Sequence, residues 1–302
     1  MKDKILGALI GSAVGDALGR ATEFMSEKKI VSYYGKPVTD YYPDRIGLFG
    51  EGEWTDDTYL MLAIANSLLT YPNLNIYNIS ENFLKWYKDD GRDCGNLTGN
   101  ALNLLYDGFE PLDAGKHAWE MSGKQAASNG GLMRNTCVPL FYHKDLDKLI
   151  KASQVICQIT HFDNRCVLST VAHSIAIKAL LDGDDVYEKI MEICGDKDDE
   201  FDDICEEAKF SKIKDFKLDG HNMGYTYLAF KVGLCALLNY EDFETPIIEI
   251  INKGGDSDTN ACVAGGLLGA KYGLSGIPKK WQDGLVGIGE LTELGEKIIE
   301  IS

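Results

Sequence analysis

The chain has 302 residues, of which 45% are hydrophobic and 25% are charged, the balance of an ordinary globular protein with a substantial core. Its formal net charge of −17 argues against nucleic-acid backbones and anionic membrane surfaces as partners. The eight cysteines include no Cys-x-x-Cys pair, which predicts buried free thiols in a reducing compartment. Neither a signal peptide nor a membrane-length apolar run is evident, so we expect a cytoplasmic protein.

Helical periodicity runs through the whole chain, whereas strand signals are weak, because alternating β-branched runs are few and no hairpin dipeptide separates two of them. The predicted helices span residues 3–19, 57–70, 78–90, 98–107, 113–122, 146–159, 164–181, 184–194, 199–209, 225–239, 245–252, 257–272 and 289–300. No linker rich in Pro, Gly or Ser divides the chain, so the sequence predicts a single all-α domain over residues 1–302.

Two of the predicted helices are unusually rich in small residues. Glycines recur at every fourth position from Gly7 to Gly19, and the segment 261–270 has the same character. A glycine costs a helix about 1 kcal/mol relative to alanine, so a stripe of four needs a compensating gain, which close approach of another helix supplies. The sequence therefore predicts that these helices pack tightly at the centre of the fold. That packing would bring Asp16 close to the start of the second helix.

Two short acidic clusters, residues 55–58 (Thr-Asp-Asp-Thr) and residues 256–259 (Asp-Ser-Asp-Thr), each open a predicted helix. Taken singly, each is typical of a helix N-cap, since threonine and aspartate favour helix starts. If the fold brings both clusters together, their carboxylates repel one another unless cations bind or their pKa values rise. The oxygen-only ligand chemistry indicates a hard cation such as Mg²⁺, Mn²⁺ or Ca²⁺ rather than zinc.

The second acidic cluster superficially fits two other known patterns. As an EF-hand loop it would have Ala261 where a glycine is needed and Leu267 where a bidentate glutamate belongs. As the Asp-x-Asp-x-Thr nucleophile of a haloacid-dehalogenase-type phosphatase it lacks the preceding apolar strand, and Asn260 takes the place of the final threonine. Both interpretations are therefore rejected. The preceding pair Gly254-Gly255 instead permits backbone conformations that let the carboxylates of the cluster turn toward one point.

Three further polar segments have a structural as well as a functional interpretation. Residues 128–134 (Ser-Asn-Gly-Gly-Leu-Met-Arg) are typical of a loop that leads into a helix, where backbone N–H groups could cradle a phosphate, but a plain turn fits them equally well. Residues 93–98 are a polar turn for which helix capping is the simplest interpretation. His161 is more typical of a hydrogen-bonded cap than of a catalyst. No Ser/His/Asp constellation, P-loop or dinucleotide-binding motif is present.

Taken together, these segments resemble the motifs of the ADP-ribosylglycohydrolase family. Five of them appear in the family's order across residues 5–273: Gly15–Gly19 followed by Glu23, Glu53–Thr58, Ser128–Arg134, Thr160-His161 and Gly254–Asn260. The turn at residues 93–98 also resembles that of the bacterial members that reactivate dinitrogenase reductase. The resemblance implies a compact, single-domain, orthogonal all-α bundle with two divalent cations, Mg²⁺ or Mn²⁺, at the floor of a cleft.

The resemblance also implies roles for individual residues of this chain. The metal ligands are expected to be Thr55, Asp56, Asp57, Asp256, Asp258 and Thr259. The catalytic group is expected to comprise Glu23, Asp56, Asp57 and Asp93, with Asp93 assisting at the substrate ribose. For the ADP-ribose moiety, the loop of Ser128, Asn129, Gly130 and Gly131 would hold the diphosphate, His161 would lie near the adenosine portion, and Tyr225 would stack on the ligand.

The implied reaction cleaves the glycosidic bond between ADP-ribose and a modified protein side chain, through a transition state with oxocarbenium character. Glu23 or Asp93 could handle the protons, and the sequence does not choose between them. A carboxylate-rich site suits an arginine leaving group, whose guanidinium is attracted to carboxylates. The expected partner is an ADP-ribosylated protein or a small ADP-ribose conjugate, and the expected state is a monomer.

Alternatives to arginine are ADP-ribosyl-serine, O-acetyl-ADP-ribose and an ADP-ribosylated nucleobase. A further alternative is a non-catalytic, crystallin-like relative that binds ADP-ribose. This chain departs from the family pattern after Gly224-Tyr225, where residues 226–230 are Thr-Tyr-Leu-Ala-Phe, and in the turn that contains Cys94 and Leu97. These departures concern substrate choice, since the expected metal ligands are intact.

Overall fold

The structure is a computed structural model in which residues 1–301 are described, and its secondary structure is almost entirely helical. Its helices are α1 (Lys2–Gly19), α2 (Glu27–Tyr34), α3 (Asp56–Thr70), α4 (Ile76–Asp89), α5 (Asn96–Tyr106), α6 (Pro111–Met121), α7 (Cys137–Tyr142), α8 (Leu146–Gln158), α9 (Asn164–Asp182), α10 (Val186–Cys194), α11 (Asp199–Phe210), α12 (Thr226–Asn239), α13 (Glu244–Lys253), α14 (Ser257–Tyr272), α15 (Lys279–Gly284) and α16 (Ile288–Ile301). The all-α prediction is confirmed.

Every helix predicted from periodicity is present, with ends that differ by at most two residues. The sequence prediction missed three helices, α2, α7 and α15, which have eight, six and six residues. Segments of this length span only about two turns, too few for a 3.6-residue period to register. Pro139 inside α7 further hides that helix in the sequence.

Helices α1 and α14 form the centre of the fold. Residues 5–19 of α1 and residues 257–270 of α14 are all buried, so both helices are surrounded on every side. A methyl group on Gly11 would collide with the carbonyl oxygen of Gly265, and one on Gly15 would collide with that of Ala261. The predicted close approach of these two helices is therefore confirmed. The glycine stripe is what lets their backbones touch.

A short antiparallel sheet joins the ends of α1 and α13. Its strands are β1 (Met25–Ser26) and β2 (Gly254–Gly255), with Met25 opposite Gly255 and Ser26 opposite Gly254. Both glycines have positive φ, +72° and +71°, a conformation that other residues rarely adopt. A methyl group on Gly255 would also collide with the carbonyl oxygen of Leu218. The predicted conformational use of this glycine pair is confirmed, and it brings the segment after α1 beside the start of α14.

The main hydrophobic core extends from Ile5 in α1 to Ile298 in α16 and includes residues of most helices. All eight cysteines are free thiols; Cys94 is half-buried and the others are buried, as predicted. Among residues 1–301, no helix combines the length and the apolar character that crossing a membrane requires.

Candidate functional site

A cavity of about 390 Å³ opens where the starts of α3, α5 and α14 converge. Its walls consist of the Glu23-Phe24 turn, the loop after Gly91, the loop at Ser128 and the first residues of α14. The predicted site residues that line it are Glu23, Asp56, Asp57, Asp93, Ser128, Asn129, Gly130, His161, Asp256, Asp258 and Thr259. Residues separated by more than two hundred positions in the sequence thus share one concave surface.

The first acidic cluster stands at the start of α3, where Thr55 occupies the N-cap position. Its side chain makes no capping hydrogen bond. The Thr55 hydroxyl instead lies 2.9 Å from an Asp16 oxygen and 3.3 Å from Oδ2 of Asp57. The capping interpretation therefore describes the position of Thr55 in the helix but not the contacts of its side chain.

Asp16 of α1 satisfies the backbone donors that a capping side chain would otherwise take. It is fully buried and accepts the backbone N–H groups of Thr55 at 3.0 Å and Thr58 at 3.1 Å. The Thr58 hydroxyl also donates to Asp16, at 2.6 Å. Burial raises the pKa of Asp16 to about 6, an effect that the hydrogen bonds from Thr58 and Thr55 oppose. Asp16 thus fixes the start of α3 against the central helix.

The second acidic cluster stands in the corresponding place on α14. Asp256 occupies the N-cap position without a capping hydrogen bond, and its Oδ2 accepts from the Asn129 side-chain amide at 2.8 Å. Ser257 ties this helix start to the end of α1, because its hydroxyl donates to the Gly19 carbonyl at 2.8 Å. The four aspartates of the two clusters therefore line the cavity, and neither N-cap side chain caps its own helix.

The carboxylates of the two clusters are crowded, and those of Asp56, Asp57 and Asp258 are buried. Burial, followed by the charges of neighbouring carboxylates, raises the pKa values of Asp56, Asp57 and Asp258 well above their usual range. Oδ1 of Asp57 is buried and has no hydrogen-bond partner. A buried oxygen that lacks a donor, within a set of oxygen ligands alone, fits a hard divalent cation. The cluster could therefore hold a metal ion.

Glu23 and Asp93 add two carboxylates beside Asp258 of the second cluster. Ligand oxygens of Glu23, Asp93 and Asp258 all lie within 4.8 Å of one another. Arg20 supplies one positive charge beside them: its guanidinium contacts Glu23 and donates to Asp44 at 2.9 Å and to Asp93 at 3.0 Å. Burial raises the pKa of Asp93, while the Arg20 guanidinium opposes that rise. This end of the cavity therefore has more carboxylates than positively charged groups.

The loop at residues 128–131 forms the other wall of the cavity. Asn129–Gly131 is a single 3₁₀ turn, and the next α-helix, α7, begins only at Cys137 and is six residues long. The segment is therefore the plain turn that the sequence also allowed, and the helix that follows begins at Cys137. The loop lies close against His161, since a methyl group on Gly130 would lie 2.8 Å from the imidazole Cε1. Close packing explains the small residues here.

His161 is a buried member of this wall. Its Nε2 lies 2.9 Å from the Ser128 hydroxyl and its Nδ1 lies 2.7 Å from the Thr160 hydroxyl. Burial, followed by the positive charge of Arg134, lowers its pKa well below the usual range. The imidazole is therefore neutral, and it orients the Ser128 hydroxyl at the cavity surface.

Three of the residues expected at the site do not line the cavity: Thr55, Gly131 and Tyr225. Thr55 lies behind its floor, against Asp16. Tyr225 lines a neighbouring surface cavity that shares Ser128 and Gly224 with the first, and its hydroxyl donates to Glu200 at 2.9 Å.

The sequence interpretation gave no role to Arg20, Phe24 or Asp44. Arg20 is a buried arginine one position after the Gly15–Gly19 motif, and that position was the only signal in the sequence. Asp44 lies in a long segment without regular structure and meets Arg20 only in the folded chain. Phe24 combines an exposed ring with an unusual backbone conformation, which no sequence pattern reveals.

Comparison with known proteins assigns the chain to a family. The ADP-ribosylglycohydrolase family model matches residues 1–302. ADP-ribosylarginine hydrolase Tri1 of Serratia proteamaculans is 27% identical over 98% of this chain and 79% of its own length. ADP-ribosyl-[dinitrogen reductase] glycohydrolase of Rhodospirillum rubrum is 28% identical, with 92% and 89% covered.

A solved structure, described as an ADP-ribosylglycohydrolase-related protein complex, superposes with a TM-score of 0.84 at 27% sequence identity. The match covers 100% of this chain and 98% of the solved one. The likeness therefore extends over the fold as well as the sequence. The chain belongs to the ADP-ribosylglycohydrolase family.

Proposed function

We propose that the protein is a hydrolase, dependent on divalent cations, that releases ADP-ribose from a modified protein side chain, with arginine as the first substrate to test. The observation that carries the proposal is the convergence of both acidic clusters on the floor of one cavity. Relatives named for hydrolysis of ADP-ribosylarginine and of ADP-ribosyl-dinitrogen reductase support it.

In this proposal, two divalent cations, Mg²⁺ or Mn²⁺, bind between the clusters. The cavity residues that would hold them are Asp56, Asp57, Asp256, Asp258 and Thr259, while Thr55, which the sequence also predicted as a ligand, supports Asp57 from behind the floor. When bound, such cations supply Lewis acidity toward the ribose hydroxyls and lower the pKa of water. The raised pKa values of Asp56, Asp57 and Asp258 support this role, because burial and then the neighbouring carboxylates raise them, and a bound cation would offset both effects.

Ser128, Asn129 and Gly130 of the loop would contact the diphosphate of ADP-ribose, with Gly131 packed behind them against His161. Neutral His161 orients the Ser128 hydroxyl toward the cavity without adding a charge of its own. Asn129 of this loop contacts Asp256. A diphosphate bound at the loop would therefore place the ribose next to the carboxylates. The adenine would then extend past Gly224 toward Tyr225.

Glu23 and Asp93 are the candidates for proton transfer. Cleavage of a glycosidic bond needs a proton for the leaving group and a base for the attacking water. Both carboxylates line the cavity, and both contact Arg20, which holds them at fixed positions. Asp93 has a positive φ of +64°, a strained conformation of the kind that clusters at functional sites.

The proposal is tested with a peptide that carries ADP-ribosyl-arginine, in the presence of Mg²⁺ or Mn²⁺, by measuring the ADP-ribose released. Asp258→Asn keeps the shape of the side chain but removes its charge, so we expect kcat/KM to fall by at least about 100-fold. The control is Asp147→Asn, a change on the exposed surface of α8 that should leave turnover unaltered.

Parallel assays with ADP-ribosyl-serine, O-acetyl-ADP-ribose and an ADP-ribosylated nucleobase define the linkage. Turnover of another conjugate but not the arginine one would correct the substrate and keep the reaction type. Wild-type turnover of none of them, or full activity of Asp258→Asn, would contradict the proposed function.

A further inference from the structure

Phe24 follows Glu23 at the rim of the cavity and has two unfavourable features. Its backbone φ is +55°, a left-handed conformation that is a genuine outlier for a bulky residue. Its side chain is 57% exposed although it is aromatic. Phe24 also lines the cavity itself. Strain and exposure together, at the mouth of a cavity, point to a role in binding.

The backbone around Phe24 is held firmly in this conformation. Its N–H donates to the Gly255 carbonyl at 2.7 Å, and Met25 continues the pairing with Gly255 as the first residue of β1. On the other side, Arg45 donates to the carbonyl of Glu23 at 3.4 Å, and the Glu23 carboxylate contacts Arg20. These contacts fix the backbone on both sides of Phe24, while its ring remains exposed at the rim.

A series of contacts shows which residues lie next to one another along the cavity. His161 contacts Ser128, the next residue Asn129 contacts Asp256, and Asp258 of the same cluster adjoins Glu23. Given the proposed function, on which this inference rests, the diphosphate lies at the first end of this series. The anomeric carbon then lies over the carboxylates, and the leaving group points to Glu23 and Phe24.

The charge at this end selects the kind of leaving group. Arg20 contributes one positive charge, against the carboxylates of Glu23 and Asp93, which line the cavity, and of the buried Asp44. This excess of carboxylates attracts a cation, and an exposed aromatic ring offers a planar cation a face on which to stack. An arginine guanidinium has both properties, whereas a serine oxygen or an acetyl group has neither.

We propose that Phe24 is the specificity-determining contact for the modified residue, and that its ring stacks on the guanidinium of ADP-ribosyl-arginine. The carboxylates of Glu23 and Asp93 confine that guanidinium from the other side. ADP-ribose itself lacks the leaving group and therefore makes no such contact with Phe24.

Three variants test this assignment. Phe24→Gly removes the ring and adopts the positive φ without strain, so the fold is retained. Phe24→Leu keeps apolar volume without a π face, and Phe24→Trp keeps a π face. The measurements are kcat and KM for ADP-ribosyl-arginine and ADP-ribosyl-serine peptides with Mg²⁺, together with the Kd of ADP-ribose by calorimetry.

We expect Phe24→Gly and Phe24→Leu to lose about tenfold in kcat/KM for the arginine conjugate, mainly through KM, and Phe24→Trp to stay within about twofold of wild type. The serine conjugate should lose much less, and the Kd of ADP-ribose should not change. Equal losses for all ligands, or no loss for the arginine conjugate, would overturn the assignment.

The wild-type assay separates failure of this inference from failure of the proposed function. If wild-type protein cleaves the serine conjugate but not the arginine one, the assignment of Phe24 is wrong while the hydrolase function stands. If it cleaves neither conjugate, the proposed function is wrong and the assignment is overturned with it.

Discussion

Asp16 lies behind the candidate site, and its carboxylate alone fixes the geometry at the start of α3. It accepts hydrogen bonds from the backbone and hydroxyl groups of both Thr55 and Thr58. A carboxylate is suited to this because its two oxygens only accept, and every facing group here donates. The residues that face the cavity depend on this support, since Asp56 and Asp57 lie between the two threonines.

Replacing Asp16 with asparagine tests that support. The amide NH₂ would face donors in place of an acceptor, so we expect the free energy of unfolding to fall by about 2 kcal/mol. Urea unfolding of the variant and of the control Asp147→Asn, whose side chain is exposed, measures the difference. Equal stabilities of the two variants would show that Asp16 does not support α3.

At the scale of elements, the contact between α1 and α14 decides where both acidic clusters stand. Each glycine from Gly7 to Gly19 in the stripe of α1 meets backbone of α14 or of the residues that follow it. The backbones are thus too close for any side chain to fit between them. The start of α14 is in turn fixed to the end of α1 through Ser257, so the second cluster has a defined place.

Gly15→Ala tests the close approach of these helices. Its methyl group would overlap the carbonyl oxygen of Ala261, so the helices must separate, and we expect a loss of about 2–3 kcal/mol in unfolding free energy. Gly289→Ala is the matched control, because nothing lies within 4 Å of the added methyl group and alanine favours the helix. A thermal or urea unfolding midpoint for Gly15→Ala at or above that of the control would contradict the account.

Long amphipathic or apolar helices could be predicted from the sequence, and the contact of α1 with α14 followed from spacing alone. Helices α2, α7 and α15 could not, because each has too few turns for its periodicity to register. The β1–β2 pairing also left no alternating pattern, since each strand has two residues and one strand is Gly254-Gly255. Such pairing depends on backbone conformation, which the sequence indicates only through the glycines.

At the scale of the whole molecule, the fold brings residues 23–24 and residues 256–259 together in the walls of one cavity. Most of the expected site residues line that cavity, because their motifs stand at the starts of helices that converge. The sequence could not predict the contacts of Arg20 with Asp44 and Asp93 or the exposed ring of Phe24. They arise from the path of loops in three dimensions, not from periodicity or motif spacing.

If the two acidic clusters form one site for divalent cations, a calorimetric titration of Mn²⁺ into chelator-treated protein should detect that site directly. We predict two Mn²⁺ ions per wild-type chain, weakened binding with loss of at least one ion in Asp258→Asn, and unchanged binding in Asp147→Asn. Wild-type protein that binds no Mn²⁺, or an Asp258→Asn variant that binds it as wild type does, would contradict the account.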